Sequence, residues 1–202
     1  MLPILEGLGS ELTIIAPDTP GYGLSDPLPN EQVTIADLAI ALIEFAQALG
    51  LKKTVVYGAH TGANIAIEAA QRSPETFSHV ILDGFPLFTG SESKELLAHY
   101  LPPFKPRADG SHLSELWSRL QDIYTYFPWY KRTESTRLNI PLPSAEVLQR
   151  TALGFMQAGD GYRGAYAAAF RYDTESAIEN VQVPTTIIAK ESDLLYSHLD
   201  RL

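Results

Sequence analysis

The segment Gly58–Gly62, which reads Gly-Ala-His-Thr-Gly, lies between an apolar run and a run of small residues. The apolar run Thr54–Tyr57 is typical of a buried parallel strand, and Ala63–Ala70 is typical of a helix. Glycines on both sides of a turn residue allow that residue to be held in a strained conformation. The segment therefore predicts a strand, a tight turn with His60 at its tip, and a helix.

Other apolar runs indicate more strands of the same kind. Each lacks the alternation of a half-exposed strand and leads into a turn, and the three runs are Leu12–Ala16, His79–Leu82 and Thr185–Ala189. A helix is predicted over Ile35–Leu49, where Thr34 and Asp37 form a capping pattern. Strands that alternate with helices predict an α/β fold, in which helices cover the faces of a parallel sheet.

About a hundred residues between Asp83 and Val183 contain no convincing strand, which is too many for a simple connection. Apolar residues recur at helical spacing over Leu113–Phe127, and further helices are predicted over Ser144–Ala158 and Tyr162–Phe170. These helices form either a packed helical core or a lid whose inner face lines a pocket, and both interpretations can hold together.

Composition limits the partners of the chain. Its 202 residues can bury the core of one domain, with an inserted lid if needed. The net charge of −9 argues against binding to nucleic acid, and the lack of cysteine excludes disulfides and thiolate metal sites.

No HExxH-like spacing predicts a metal, and the turn lacks the third glycine of a dinucleotide fingerprint, so no cofactor is expected. No signal peptide or membrane-length apolar run is evident, and we expect a cytoplasmic location away from membranes.

The order of these segments carries a family resemblance. The segments, in chain order, are Ile14–Asp18, Pro20–Asp26, the His60 turn, Val80–Asp83 and Val183–Asp193. Together they resemble the α/β-hydrolase superfamily, of the capped AB hydrolase-1 type, over nearly the whole chain. The resemblance implies a parallel-sheet α/β-hydrolase fold whose core comprises residues 1–85 and 181–202. Residues 86–180 would form the helical cap, inserted after the third visible strand.

The sequence also departs from this family. Earlier strands, a His-Gly oxyanion loop and a final strand with its catalytic histidine have no counterpart here, so the fold is expected to be incomplete and the chain truncated at both ends. In the family, the third strand lies between the fourth and the fifth. Without it, Leu12–Ala16 and Thr54–Tyr57 lose ladder partners, and we expect marginal stability or self-association.

The resemblance assigns roles to several residues. His60 takes the place of the usual elbow serine at the nucleophile position, and the backbone N–H of Thr61 takes the oxyanion position. Asp193 stands at the acid position and Asp83 at the alternative acid position. The turn is flanked by the elbow glycines Gly58 and Gly62. Imidazole can act as a base or a nucleophile, and His60 is therefore either a catalytic group or the relic of an inactive site. His198, five residues after Asp193, is expected to be exposed.

The resemblance implies hydrolysis of a small apolar ester, lactone or related bond. Tyr124, Phe127 and Trp129 are the predicted substrate-binding residues, and they indicate a small apolar organic ligand. Because His60 lacks evident partners, this chain alone is expected to hydrolyse p-nitrophenyl acetate only at background level. Two alternatives stay open at this point. One is a non-catalytic ligand-binding protein, and the other is cofactor-free proton abstraction or C–C bond chemistry with His60 as base.

Overall fold

The computed structural model describes residues 6–202 and contains a parallel sheet of three strands. The strands are β1 (Thr54–Ala59), β2 (Phe77–Asp83) and β3 (Thr185–Ile188). Their order is β1-β2-β3, with Tyr57 of β1 opposite Ile81 of β2. Asp83 at the end of β2 lies opposite Ile188 of β3, so all three carboxyl ends meet at one edge of the sheet. The predicted α/β fold with a parallel sheet is confirmed.

Helices surround this sheet. In chain order they are α1 (Ile35–Ala48), α2 (Thr61–Arg72), α3 (Gly90–His99), α4 (Ser111–Thr125), α5 (Ala145–Ala158), α6 (Tyr162–Arg171) and α7 (Thr174–Asn180). α1 begins at the predicted capping box, where the Thr34 N–H donates to the Asp37 carboxylate at 2.8 Å and the Asp37 N–H donates to the Thr34 hydroxyl at 3.2 Å. Such a cap stabilises a helix by about 1 kcal/mol.

The main core forms around α2, because its small side chains let the helix lie close to the sheet. Ala63, Ala69 and Ala70 are fully buried, and so is Val80 of β2. Alanines of α6 and α7, including Ala165, complete the same cluster. Close packing on α2 therefore fixes the turn that precedes it.

A second core joins the helices that lie between β2 and β3. It contains Leu96 of α3, Leu116 and Leu120 of α4, Leu148 of α5 and Tyr162 of α6. The helices predicted over residues 113–127, 144–158 and 162–170 are present, with ends shifted by a few residues. α3 and α7 were not predicted. No helix within residues 6–202 is long and apolar enough to cross a membrane.

The predicted strand Leu12–Ala16 is wrong. Residues 13–19 have no regular secondary structure, and in the described chain residues 13–18 make no backbone–backbone hydrogen bond. Leu12 and Ile15 remain 58% and 44% exposed. The physical reason is the lack of a ladder partner: within residues 6–202, β1 pairs with β2 alone, and its other edge is open. An apolar run gains strand structure only where a neighbouring strand accepts its hydrogen bonds.

Candidate active site

The turn between β1 and α2 holds His60 in a strained conformation. Its backbone has φ of 49° and ψ of −114°, a combination that costs a non-glycine residue about 1–3 kcal/mol. Gly58 permits this turn, because a Cβ there would lie 2.0 Å from the carbonyl oxygen of Gly62. The His60 N–H donates to the carbonyl of Asp83 at 2.9 Å. The turn is thus fixed by close packing and tied to the end of β2.

The side chain of His60 is paired with Asp193. His60 Nε2 lies 2.8 Å from Asp193 Oδ2, and the other carboxylate oxygen accepts the N–H of Leu195 at 2.8 Å. Asp193 follows β3 in the chain, so the two residues come from strands whose carboxyl ends share one edge of the sheet. Gly84 makes room for the pair, because a Cβ there would lie 2.5 Å from His60 Cδ2 and 3.1 Å from Asp193 Oδ1.

Opposing effects determine the charge of Asp193. Burial raises the pKa of this carboxyl, but hydrogen bonds from His60 and from the Leu195 N–H lower it, and the net pKa lies below the ordinary value. Asp193 is therefore ionised at neutral pH and can only accept hydrogen bonds. His60 Nε2 is therefore the donor in this contact, and the neutral form of the imidazole then has its lone pair on Nδ1.

Nδ1 of His60 is available to a reacting molecule. It makes no hydrogen bond within residues 6–202, and the side chain is 43% exposed. The N–H groups of Thr61 and Gly62, in the first turn of α2, likewise donate to no group in the described chain. Free N–H groups at a helix N-terminus stabilise a negative oxygen. The turn thus carries an unbonded imidazole nitrogen and two unbonded N–H groups.

His60 and Thr61 open onto a largely apolar cavity of about 310 Å³. His60, Thr61 and Asp193 line it together with the predicted residues Tyr124 and Phe127. Other aromatic residues of its wall are Phe88, Tyr100, Phe155, Tyr166 and Phe170. In the part of the chain that the structure describes, no lysine or arginine lines the cavity. The cavity therefore suits an uncharged, mainly apolar molecule.

Trp129 and Asp83 lie outside this arrangement. The Trp129 indole N–H donates to the carbonyl of Tyr100 at 3.1 Å, and the residue packs among the helices without lining the cavity. The carboxylate of Asp83 accepts the hydroxyl of Tyr57 at 2.6 Å. Asp193, and not Asp83, is thus the carboxylate that contacts His60.

The expectation that His198 is exposed is wrong, since the side chain is only 5% exposed. Its Nδ1 accepts the N–H of Leu87 at 2.9 Å, while Arg201 donates to the Leu87 carbonyl at 2.6 Å. Burial, with a contribution from the charge of Arg201, lowers the pKa of His198 to about 4. The reason is that the 3₁₀ segment Tyr196–Arg201 folds back onto the residues that follow β2.

The pairing of His60 with Asp193 was missed by sequence reasoning. Each residue was identified as a candidate, but no partner was assigned to either. The signal lay in the sheet itself, because residues that follow parallel strands of one sheet at their carboxyl ends lie along the same edge, here on either side of the end of β2. No group of three or more metal-binding side chains occurs within residues 6–202.

Comparisons with known proteins identify a family and similar folds. The family model described as alpha/beta hydrolase fold matches residues 3–197. A comparison with curated proteins finds no match. Among solved structures, the chain is similar to an E-2-(acetamidomethylene)succinate hydrolase, with 21% identity, a TM-score of 0.64, and coverage of 92% of this chain and 65% of that one. It is also similar to an epoxide hydrolase from an endophytic Streptomyces, with 18% identity, a TM-score of 0.63, and coverage of 91% and 66%.

A thermophilic esterase from Thermogutta terrifontis is a further similar structure, with 21% identity, a TM-score of 0.60, and coverage of 92% of this chain and 64% of that one. The chain thus spans slightly less than two thirds of these structures. At such identities the structural likeness shows the fold alone. The family match, in contrast, extends over nearly all of the sequence and agrees with the observed strand, turn and helix order. The chain belongs to the alpha/beta hydrolase fold family.

Proposed function

We propose that this chain hydrolyses a small, uncharged, apolar ester or lactone, with His60 as general base. The observation that carries the proposal is the 2.8 Å contact between His60 Nε2 and Asp193 Oδ2 beside the apolar cavity. In this proposal, the His60 turn is the nucleophile elbow of the family, and helices α3–α6 form the cap over the substrate.

The proposed reaction uses water as the nucleophile. Water adds to the carbonyl carbon while its proton passes to His60 Nδ1, and Asp193 stabilises the imidazolium that forms. The carbonyl oxygen becomes an oxyanion and accepts a hydrogen bond from the N–H group of Thr61, which lines the cavity. When the tetrahedral intermediate collapses, the C–O bond to the alcohol breaks and Nδ1 returns the proton to the leaving alkoxide. The products are a carboxylic acid and an alcohol, and His60 is again neutral.

A water-based route fits histidine better than covalent catalysis does. An imidazole cannot form the stable acyl ester that a serine forms, whereas its free nitrogen can remove a proton at neutral pH. The expected background-level activity assumed that His60 had no carboxylate partner. Asp193 provides that partner, and measurable hydrolysis by this chain is now the expected result.

The test is the hydrolysis of p-nitrophenyl butyrate and of a six-membered lactone by purified protein. His60→Gln should lower kcat/KM by a factor of about 100 or more, the usual contribution of a general base. Asp193→Asn should lower kcat more than it changes KM, because it removes the charge that stabilises the imidazolium. His99→Gln, an exposed histidine at the end of α3, serves as the matched control and should behave like the wild type.

Two results would reject the proposal. The first is a wild-type rate equal to that of buffer with a histidine-free protein, and the second is a rate that His60→Gln leaves unchanged. If apolar ligands bind in the cavity but no ester or lactone is hydrolysed, the non-catalytic ligand-binding role replaces the hydrolase.

A further inference from the structure

The cavity wall carries three tyrosines, Tyr100, Tyr124 and Tyr166, whose hydroxyls take part in no hydrogen bond within residues 6–202. The rings of Tyr100 and Tyr166 contact each other, with centroids 6.1 Å apart, and these two residues form a pair. Yet neither hydroxyl is among the fully buried side-chain atoms that lack a hydrogen bond, which in the described residues belong to Asn64 and Arg163. Since Tyr100 is only 8% exposed, the accessible surface of its hydroxyl faces the cavity.

Within residues 6–202, these two tyrosines make no hydrogen bond with His60 or Asp193, and their ring contacts are with other aromatic residues. A series of ring contacts begins at His198, near the Asp193 loop, and passes to Phe88 at 5.0 Å and from Phe88 to Phe170 at 5.7 Å. Phe170 contacts the ring of Tyr100 at 5.5 Å, and Tyr100 contacts Tyr166 at 6.1 Å. The rings of Phe88 and Phe170 thus lie between His198 and Tyr100 in this series of contacts.

Both hydroxyls are uncharged donors. Burial, with smaller contributions from neighbouring tyrosines, raises the pKa of Tyr100 and the pKa of Tyr166, so both stay protonated at physiological pH. No cationic side chain of the described residues lines the cavity, and Asp193 contributes a negative charge. An anionic ligand would therefore lose its hydration without finding a counter-charge.

We propose that Tyr100 and Tyr166 determine specificity by donating hydrogen bonds to an uncharged oxygen acceptor at the remote end of the ligand. The inference rests on the proposed function and narrows its substrate class. The substrate is a neutral ester or lactone whose apolar body carries a second oxygen, as a ketone, ether or hydroxyl group. A ligand without that oxygen leaves the two hydroxyls unpaired in the filled cavity, which disfavours its binding.

The experiment measures binding of unreactive ketones by isothermal titration calorimetry. The three probes have equal chain length: octan-2-one lacks a remote oxygen, octane-2,7-dione has a neutral one, and 7-oxooctanoate has a charged one. The wild type should bind the dione about fivefold more tightly than octan-2-one, as expected for one net hydrogen bond, and 7-oxooctanoate should bind least tightly.

Variants without these hydroxyls test whether the hydroxyls cause the preference for the dione. Tyr100→Phe and Tyr166→Phe should each reduce the preference for the dione, and the double variant should remove it while octan-2-one still binds within about twofold of wild type. Tyr196→Phe is the matched control, because Tyr196 is 41% exposed and does not line the cavity, and it should keep the full preference.

The inference is overturned if none of the ketones binds, if the wild type binds all three equally, if the carboxylate binds most tightly, or if the double variant keeps the preference. Ketone binding needs no hydrolysis, so the two proposals can fail separately. The expected ranking without ester hydrolysis would reject the proposed function and leave this inference in place. Ester hydrolysis without the expected ranking of the ketones would reject this inference and leave the proposed function in place.

Discussion

Acidification should destabilise the folded chain through His198. This side chain is 5% exposed, and its Nδ1 accepts the N–H of Leu87. A proton on Nδ1 would abolish that hydrogen bond and place a charge beside Arg201, which itself binds the Leu87 carbonyl and Glu92. The ring of Phe88, which lines the cavity, packs against the imidazole at 5.0 Å. Protonation therefore weakens the contacts that hold the segment Tyr196–Arg201 against Leu87 and the neighbouring wall of the cavity.

The sign and size follow from the pKa of His198, which burial lowers from 6.5 to about 4. Above pH 6.5 the histidine is neutral in both the folded and the unfolded states, so its contribution is complete. As the pH falls from 6.5 towards 4, the unfolded state binds the proton first and the free energy of unfolding decreases. The full loss for such a shift is about 3 kcal/mol, a large fraction of the stability of a typical domain.

Urea unfolding followed by circular dichroism, at intervals between pH 4 and pH 7.5, measures this loss. His198→Asn is the informative variant, because its side-chain oxygen can accept the Leu87 N–H but does not titrate. Its free energy of unfolding should fall less on acidification than that of the wild type, by about 3 kcal/mol at the acid end. His99→Asn, at an exposed position, should follow the wild-type curve. Parallel curves for wild type and His198→Asn would refute the reasoning.

Two further predictions concern the sheet edge and the site. Gly84→Ala should separate His60 from Asp193, because the added Cβ would lie 2.5 Å from the His60 ring. The kcat for p-nitrophenyl butyrate should then fall at least about tenfold. An unchanged kcat would contradict the packing argument. We propose that the open edge of β1 also pairs with a second chain. Val55→Lys, at a residue of β1 that is 58% exposed, should therefore raise the monomer fraction measured by light scattering, since lysine discourages edge pairing. The same mass distribution in both proteins would speak against pairing at β1.

Local patterns predicted the fold well where the interactions are local. The capping box at Thr34, the small residues of α2 and the apolar spacing of α4 each depend on residues a few positions apart. α3 was missed although Thr89 and Glu92 form a capping box of the same type as that of α1. Its moderate apolar content gave no clear stripe. The strand predicted at Leu12 failed for a different reason, since a strand depends on a neighbour that no local pattern contains.

The site shows the same division between local and distant information. The strained turn at His60 could be predicted from glycines within two residues of it, whereas the contact with Asp193 joins positions 133 residues apart. That contact changes the chemistry of the histidine, because an ionised carboxylate beside Nε2 holds a proton there, and in the neutral imidazole the lone pair is then on Nδ1. Gly84, which makes space for both side chains, has no motif around it that would identify it. A histidine at the turn is by itself compatible with the relic of an inactive site. The carboxylate of Asp193, which comes from a distant loop, is what favours a histidine that works as a base.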